Sequence, residues 1–233
     1  MKEHDAFLRR VAGPACLLLL LSAPTLAASL GKWQKKLDQA EARLASKDWQ
    51  GTFGDSSALI RGLVDKNTLD PGATELAAQA LVLQAIAEAN LGMNEEAVWH
   101  WQAAGGMIDG LSELDLSDYG LAEALLKGSA DREPDSSGGR GSGKGEYEKV
   151  VILRTVKPQA PKAVRKRFAN GALTMEVVID LSGRPSRPIV KSQGPVPMMV
   201  FPILDAVRQW RFTPASRDGE PLRVVYELKI DYL

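Results

Sequence analysis

The sequence predicts a helical unit joined through a flexible linker to a small mixed unit, an α + (α+β) chain. Three observations carry this. Apolar residues recur at helical spacing between residues 29 and 127, residues 128–146 are rich in glycine and serine, and from Tyr147 the apolar period changes to two. Charge divides at the same place: residues 29–127 hold 8 Lys+Arg against 15 Asp+Glu, net −7, whereas residues 146–233 hold 15 against 9, net +6. Such asymmetry points to two units. At 233 residues, with 45% hydrophobic and 25% charged side chains, the composition is that of a folded chain.

Residues 1–28 read as a secretory signal peptide. Arg9 and Arg10 precede an apolar run from Val11, Pro24 softens its end, and small residues Ala27, Ala28 and Ser29 follow, with cleavage expected near Ala27 or Ala28. The run is about as long as the shortest bilayer-spanning helix, so an uncleaved anchor is the alternative, weakened by Pro14, Ser22 and Pro24. Cys16 precedes the leucine run, which argues against lipid attachment after it. It is the one cysteine, and the two histidines are His4 and His100. A cleaved chain would hold no thiol and one histidine, which disfavours a metal site, a histidine-based triad and catalysis generally; no catalytic residue, metal ligand or cofactor is expected.

In the helical unit, spanning 29–127, "KWQKKLDQAEARLASKDW" repeats Trp33, Leu37, Ala40 and Leu44 on one stripe. "ATELAAQALVLQAIAEANLG" is rich in helix formers and stops at Gly92. "NEEAVWHWQAAGGMI" follows, with Asn94 as N-cap and acidic residues in its first turn. Ala85, Gly92, Ala97, Trp101 and Ala104 stand at the small and aromatic positions of a tetratricopeptide repeat, which this stretch resembles; a weaker copy has Ala40 and the turn Lys47–Trp49. The resemblance implies helical-hairpin repeats that bind a second protein partner, capped by a last helix around "DYGLAEALLK". Trp99, His100 and Trp101 are expected to pack in core and rim, with no partner visible for His100. Asp109, Glu113, Asp115 and Asp118 fit helix caps, with Ser112 and Ser117, better than a cation loop.

The linker "GSADREPDSSGGRGSGKGE", residues 128–146, holds almost no apolar side chain and is expected to span roughly 25 Å as a Gly-rich coil. Within it "GGRGSGKG" imitates a phosphate-binding loop. Gly145 occupies the place of the required hydroxyl, and "YEKVVILRTV" reads as strand rather than helix, so nucleotide binding is not expected.

The last unit spans 147–233. "LTMEVVIDL" sends Leu173, Met175, Val177, Ile179 and Leu181 one way and Thr174, Glu176 and Asp180 the other, Val178 excepted; from Leu222, Val224, Tyr226, Leu228, Ile230 and Tyr232 alternate with Arg223, Glu227, Lys229 and Asp231. Both read as strands of an antiparallel sheet covered on one side. Gly183 turns the first into "RPIVKS", and "FPILDAVRQW" reads as a helix with Pro202 in its first turn and Ile203, Val207 and Trp210 inward. A shorter helix is expected in "PKAVRKRF", giving strand, helix, strand, strand, helix, strand. Trp210 and Phe212 are expected to seal the sheet, with Arg211 between them in solvent. Pro214 is expected to stop the helix, and "SRDGEP" to turn into the last strand.

Pro158, Pro161, Ala163, Gly171, "VVIDLSG" with Gly183, then Ala206, Trp210, Phe212, Pro214, Gly219 and Pro221 make this unit resemble the C-terminal domain of the TonB family, although Gln159 and Ala160 stand where the family has Tyr-Pro. The resemblance implies a periplasmic binding module that takes an extended peptide of an outer-membrane receptor, or another envelope protein, by strand addition. By analogy the binding edge is the last strand, with Arg223, Val224, Val225, Tyr226, Glu227, Leu228 and Lys229, and the same edge would serve a homodimer. Arg165, Lys166, Arg167, Arg187 and Lys191 fit a solvated basic face better than a steering patch, and nucleic acid is not an expected partner. The apolar run lacks the family's histidine, and Pro134 is the linker's one proline. The expected role is therefore a periplasmic adaptor, with an inner-membrane-anchored energy transducer as the alternative.

Overall fold

The computed structural model describes residues 30–65, 71–129, 146–159, 172–191 and 197–231. Contacts divide the chain into two compact units, Met1–Asp131 and Arg132–Leu233. The leader, most of the linker, and the segment 160–171 with the expected helix and Gly171 lie outside the described residues. Among the described residues no helix is long and apolar enough to cross a membrane.

The first unit is built on α1 (Gly31–Ala45), α2 (Trp49–Asp65), α3 (Pro71–Asn90) and α4 (Asn94–Gly105). The stripe of α1 turns inward as its spacing requires, burying Trp33, Leu37, Ala40 and Leu44. Lys47 takes a left-handed turn (φ 60°), and Asp48 Oδ1 accepts from the Gly51 amide at 2.9 Å, capping α2. Helix α3 packs against α1, α2 and α4, and every residue from Ala80 to Ala89 is buried. Its small side chains let three neighbours approach, so no single stripe marks its inner face. Gly92 ends α3 at φ 80°, as expected. Asn94, expected as a cap, is instead the first helical residue; Met93 precedes it and supplies no side-chain cap bond. Beyond α4, a short 3₁₀ turn at Leu111–Glu113 leads to a π-helical turn at Glu123–Lys127, which packs on α3 and α4. Asn90 fastens this return: its Nδ2 donates to Tyr119 O at 2.9 Å and its Oδ1 accepts from Leu121 N at 3.1 Å.

The second unit contains β1 (Tyr147–Glu148), β2 (Val151–Arg154), β3 (Ala172–Ile179), β4 (Pro185–Val190), α5 (Pro197–Val207), β5 (Arg211–Thr213), β6 (Ala215–Arg217), β7 (Glu220–Leu222) and β8 (Val224–Asp231). The main antiparallel sheet has the order β4-β3-β8; β2 pairs β5, and β1-β6-β7 forms a small sheet beside them. Leu173, Met175, Val177 and Ile179 stand opposite Ile230, Leu228, Tyr226 and Val224, so residues of one parity share the covered face. Val200, Ile203, Leu204 and Val207 of α5, which packs on β4, are buried as well.

Four expectations change. The strand expected from Leu222 is two: β7 pairs β6, β8 pairs β3, and Arg223 falls at the junction outside both. Leu181 leaves the first strand for the turn and is exposed. Helix α5 starts earlier and ends earlier than "FPILDAVRQW", so Pro202 lies inside it and Pro214 does not stop it. Amides of Gln209 and Trp210 already reach back three residues, to Ala206 O and Val207 O, tightening the end of the helix. Arg211 is half-buried rather than solvated, its Nη1 donating to Arg208 O (3.2 Å) and Trp210 O (2.6 Å).

Candidate peptide-binding edge

β8 is an outer strand: β3 pairs it from Val224 to Asp231, and among the described residues no strand lies on its other side. An outer strand leaves alternate amides and carbonyls pointing away from the sheet. Val224, Leu228 and Ile230 are buried, Val225 and Tyr226 half-buried, and Glu227, Lys229 and Asp231 exposed. The edge is thus held from below and wet above. On the wet face Glu227 stands opposite Glu176, a like-charge pair offset by Lys191 Nζ at 2.9 Å from Glu176 Oε2. Lys191 is therefore committed to the sheet. Arg187 sits at φ 48° in a bulge, where Val177 faces two residues of β4. Arg165, Lys166 and Arg167 lie outside the described residues.

What fixes the edge is a clasp made of the motif residues. Phe212, 2% exposed, meets Tyr226 of β8 edge-on at 5.9 Å between centroids and Trp210 at 6.3 Å. Trp210 Nε1 donates to Val156 O at 2.9 Å, tying the entry segment to the same cluster. Phe212 N donates to Gly183 O at 2.9 Å, where Gly183 has φ 76° and no room for a Cβ against the Phe212 carbonyl. Asp180 shapes that turn, its Oδ1 accepting from Ser182 N, Ser182 Oγ and Arg184 N at 2.7–2.8 Å. Pro214 lies between β5 and β6 and, lacking an amide, interrupts the ribbon they would otherwise make. Asp218 (φ 53°) and Gly219 (φ 83°) form a two-residue hairpin of the primed type, and Pro221 faces Ser216 across it.

A second buried arrangement lies in the helical unit. Glu88, 1% exposed, accepts from His100 Nδ1 at 2.7 Å through Oε2 and from Gln84 Nε2 at 2.8 Å through Oε1. His100 thus has the partner its sequence neighbours do not supply. The one signal was an acidic residue within the mostly apolar stretch Ala80–Ala89, which a buried position must pair. Asp115 Oδ1 accepts from Ser117 N at 3.0 Å, a turn contact that holds its carboxyl below the usual range, with the Ser117 hydroxyl adding to it.

Residues 156–233 match the family model described as the Gram-negative bacterial TonB protein C-terminal. Over 73 residues the chain is 30% identical to Protein TonB of Vibrio cholerae serotype O1, covering 31% of this chain and 30% of that relative. The chain thus spans less than a third of the length of that relative. No solved structure matches the chain. The C-terminal unit is a domain similar to the C-terminal part of TonB.

Proposed function

We propose that the chain is a non-enzymatic, periplasm-facing interaction protein of the TonB type, in which β8 takes up an extended peptide of an outer-membrane receptor or other envelope partner. The observation that carries the reading is the pairing of β8 on one side alone among the described residues, in a domain similar to the TonB C-terminus. Val224 to Lys229 would form the binding strand, and Arg223 at the junction would flank it. Main-chain bonds along the free edge supply affinity, and the exposed Glu227 and Lys229 read the partner's side chains. The clasp of Gly183, Trp210 and Phe212 holds the strand straight against β3, so little ordering cost falls on binding. The helical unit serves a second protein partner, and export through the leader brings both units to the periplasm. A homodimer through β8 would compete with the peptide for the same edge.

Adjacent strand residues send their amides to opposite edges. Proline placed singly at Val225 and at Tyr226 therefore removes an outward donor in one of the two variants. That variant, still folded by circular dichroism, is expected to lose capture of outer-membrane proteins from envelope extract. Unchanged capture by both folded variants refutes strand addition at β8. Energy transduction from the inner membrane is the second reading, favoured by the likeness to Protein TonB. A mature N-terminus at Met1 in the inner-membrane fraction selects it, whereas a start near Ala28 removes the anchor it needs.

A further inference from the structure

The mixed unit has a second strand edge with a different chemistry. β1 and β2 run beside β6 and β5 as the outer member of a ribbon, Tyr147 opposite Arg217, Glu148 opposite Ser216, Val151 opposite Thr213 and Ile152 opposite Phe212. Among the described residues no strand lies on the far side of β2. Successive strand residues face opposite ways, so a strand with one covered face alternates between buried and exposed. β2 does not alternate: Val151 is 56% exposed, Ile152 41% and Leu153 65%. Among the described residues, both faces and the outer edge are open along one apolar run, a combination that folded chains ordinarily blunt.

Cations flank the run directly; Glu148 lies one residue further out, its carboxylate accepting from Ser216 Oγ at 2.8 Å. Lys149, Arg154 and Lys157 are exposed, none makes an ion pair among the described residues, and residues 149–157 contain no acidic side chain. Pairing this segment with its own copy would crowd cations along one ladder, which like-charge repulsion opposes. A partner strand with acidic flanks would neutralise them. We propose that residues 149–157 are a docking strand for an extended peptide of another protein, apolar at its centre and carrying Asp or Glu at both ends, which adds to the free edge of β2. Backbone bonds and the open apolar faces hold its centre; Lys149 on one side and Arg154 and Lys157 on the other set its register. The edge differs from β8, whose exposed side chains alternate in sign through Glu227, Lys229 and Asp231.

The test titrates the full chain into a fluorescein-labelled synthetic peptide with a valine-threonine centre and aspartates at both ends, read by anisotropy, beside a counterpart ended with lysines. The aspartate-ended peptide is expected to bind about tenfold or more tightly than the other, with the difference shrinking in high salt. Lys149→Glu combined with Arg154→Glu changes only exposed side chains and is expected to reverse the preference. Amide shift changes should fall on 149–157. Equal binding of the two peptides, no binding of either, or shifts confined to 224–231 overturns the proposal. So does a concentration-dependent dimer that the charge reversals abolish, because the edge would then belong to a second copy.

Discussion

At the scale of single residues, the clasp depends on positions where a side chain is forbidden as much as on those where one is required. Gly183 and Gly219 both take left-handed backbone, yet their surroundings differ: a Cβ on Gly183 meets the Phe212 carbonyl, and a Cβ on Gly219 meets nothing within 4 Å. Gly219→Ala is expected to cost about 1 kcal/mol, the left-handed strain alone. Gly183→Ala adds to that strain the displacement of β5 and loss of the hydrogen bond donated by the Phe212 amide to the Gly183 carbonyl, for about 2–4 kcal/mol. Urea unfolding followed through amide signals of β8 measures both. Equal costs at the two glycines would mean that the turn shifts freely past Phe212. The sealing role of Trp210 and Phe212 was legible in their spacing of two. The contact of Phe212 with Gly183 was not, because the two segments are remote in sequence and only folding brings a carbonyl over that glycine.

At the scale of elements, periodicity revealed those long enough to repeat. The alternation in β3 and β8 and the stripe of α1 are visible because each covers one face. β6 and β7 are three residues each, too short to display a period, so their Asp218–Gly219 hairpin read as a plain turn into the last strand. Helix α3 shows the opposite case: between Ala80 and Ala89 it is buried on all sides and has no exposed face to orient it, and the one acid of residues 80–89, Glu88, is where the element is polar inside. The hydrogen bond between His100 Nδ1 and Glu88 Oε2 therefore joins α3 to α4 at a point where packing alone would be uniform. His100→Leu leaves the buried Glu88 carboxyl with Gln84 alone and is expected to destabilise the helical unit by about 1–3 kcal/mol. Adding Glu88→Met removes the orphan and should restore most of that loss, since apolar replacement of both partners is often near neutral. Thermal unfolding of the two single variants and the double variant gives the coupling. Additive losses would show that each residue acts through packing rather than through the pair.

At the scale of the whole molecule, the division into two units was legible in the charge balance and the change of period, whereas the electrostatic detail within the acidic unit needed three-dimensional neighbours. Asp48 illustrates it. Its carboxyl is held below its ordinary value of 3.8, first by the Gly51 amide and then by the Arg43 guanidinium, whose Nη1 lies 2.7 Å away. Arg43 also reaches Asp55 through Nε at 2.7 Å, so one cation spans the reversal between α1 and α2. A carboxyl with a depressed folded pKa binds fewer protons than its unfolded counterpart around its ordinary value. Its stabilising contribution is thus present above about pH 4 and is lost as pH falls through the lower, folded pKa. Asp115, lowered by Ser117, acts in the same direction within the same unit. Acidification from neutral pH toward pH 2 is expected to weaken the helical unit along this limb. Asp48→Asn retains an acceptor for the Gly51 amide but forfeits the ion pair with Arg43. It should therefore be less stable than the parent at pH 7 and lose less on acidification, the two curves converging near pH 2. Melting curves collected across that range, followed by far-ultraviolet circular dichroism of the helices, check it. Parallel curves with a constant offset would mean that Asp48 stabilises the turn without its charge, and that the Arg43 bridge contributes nothing to the fold.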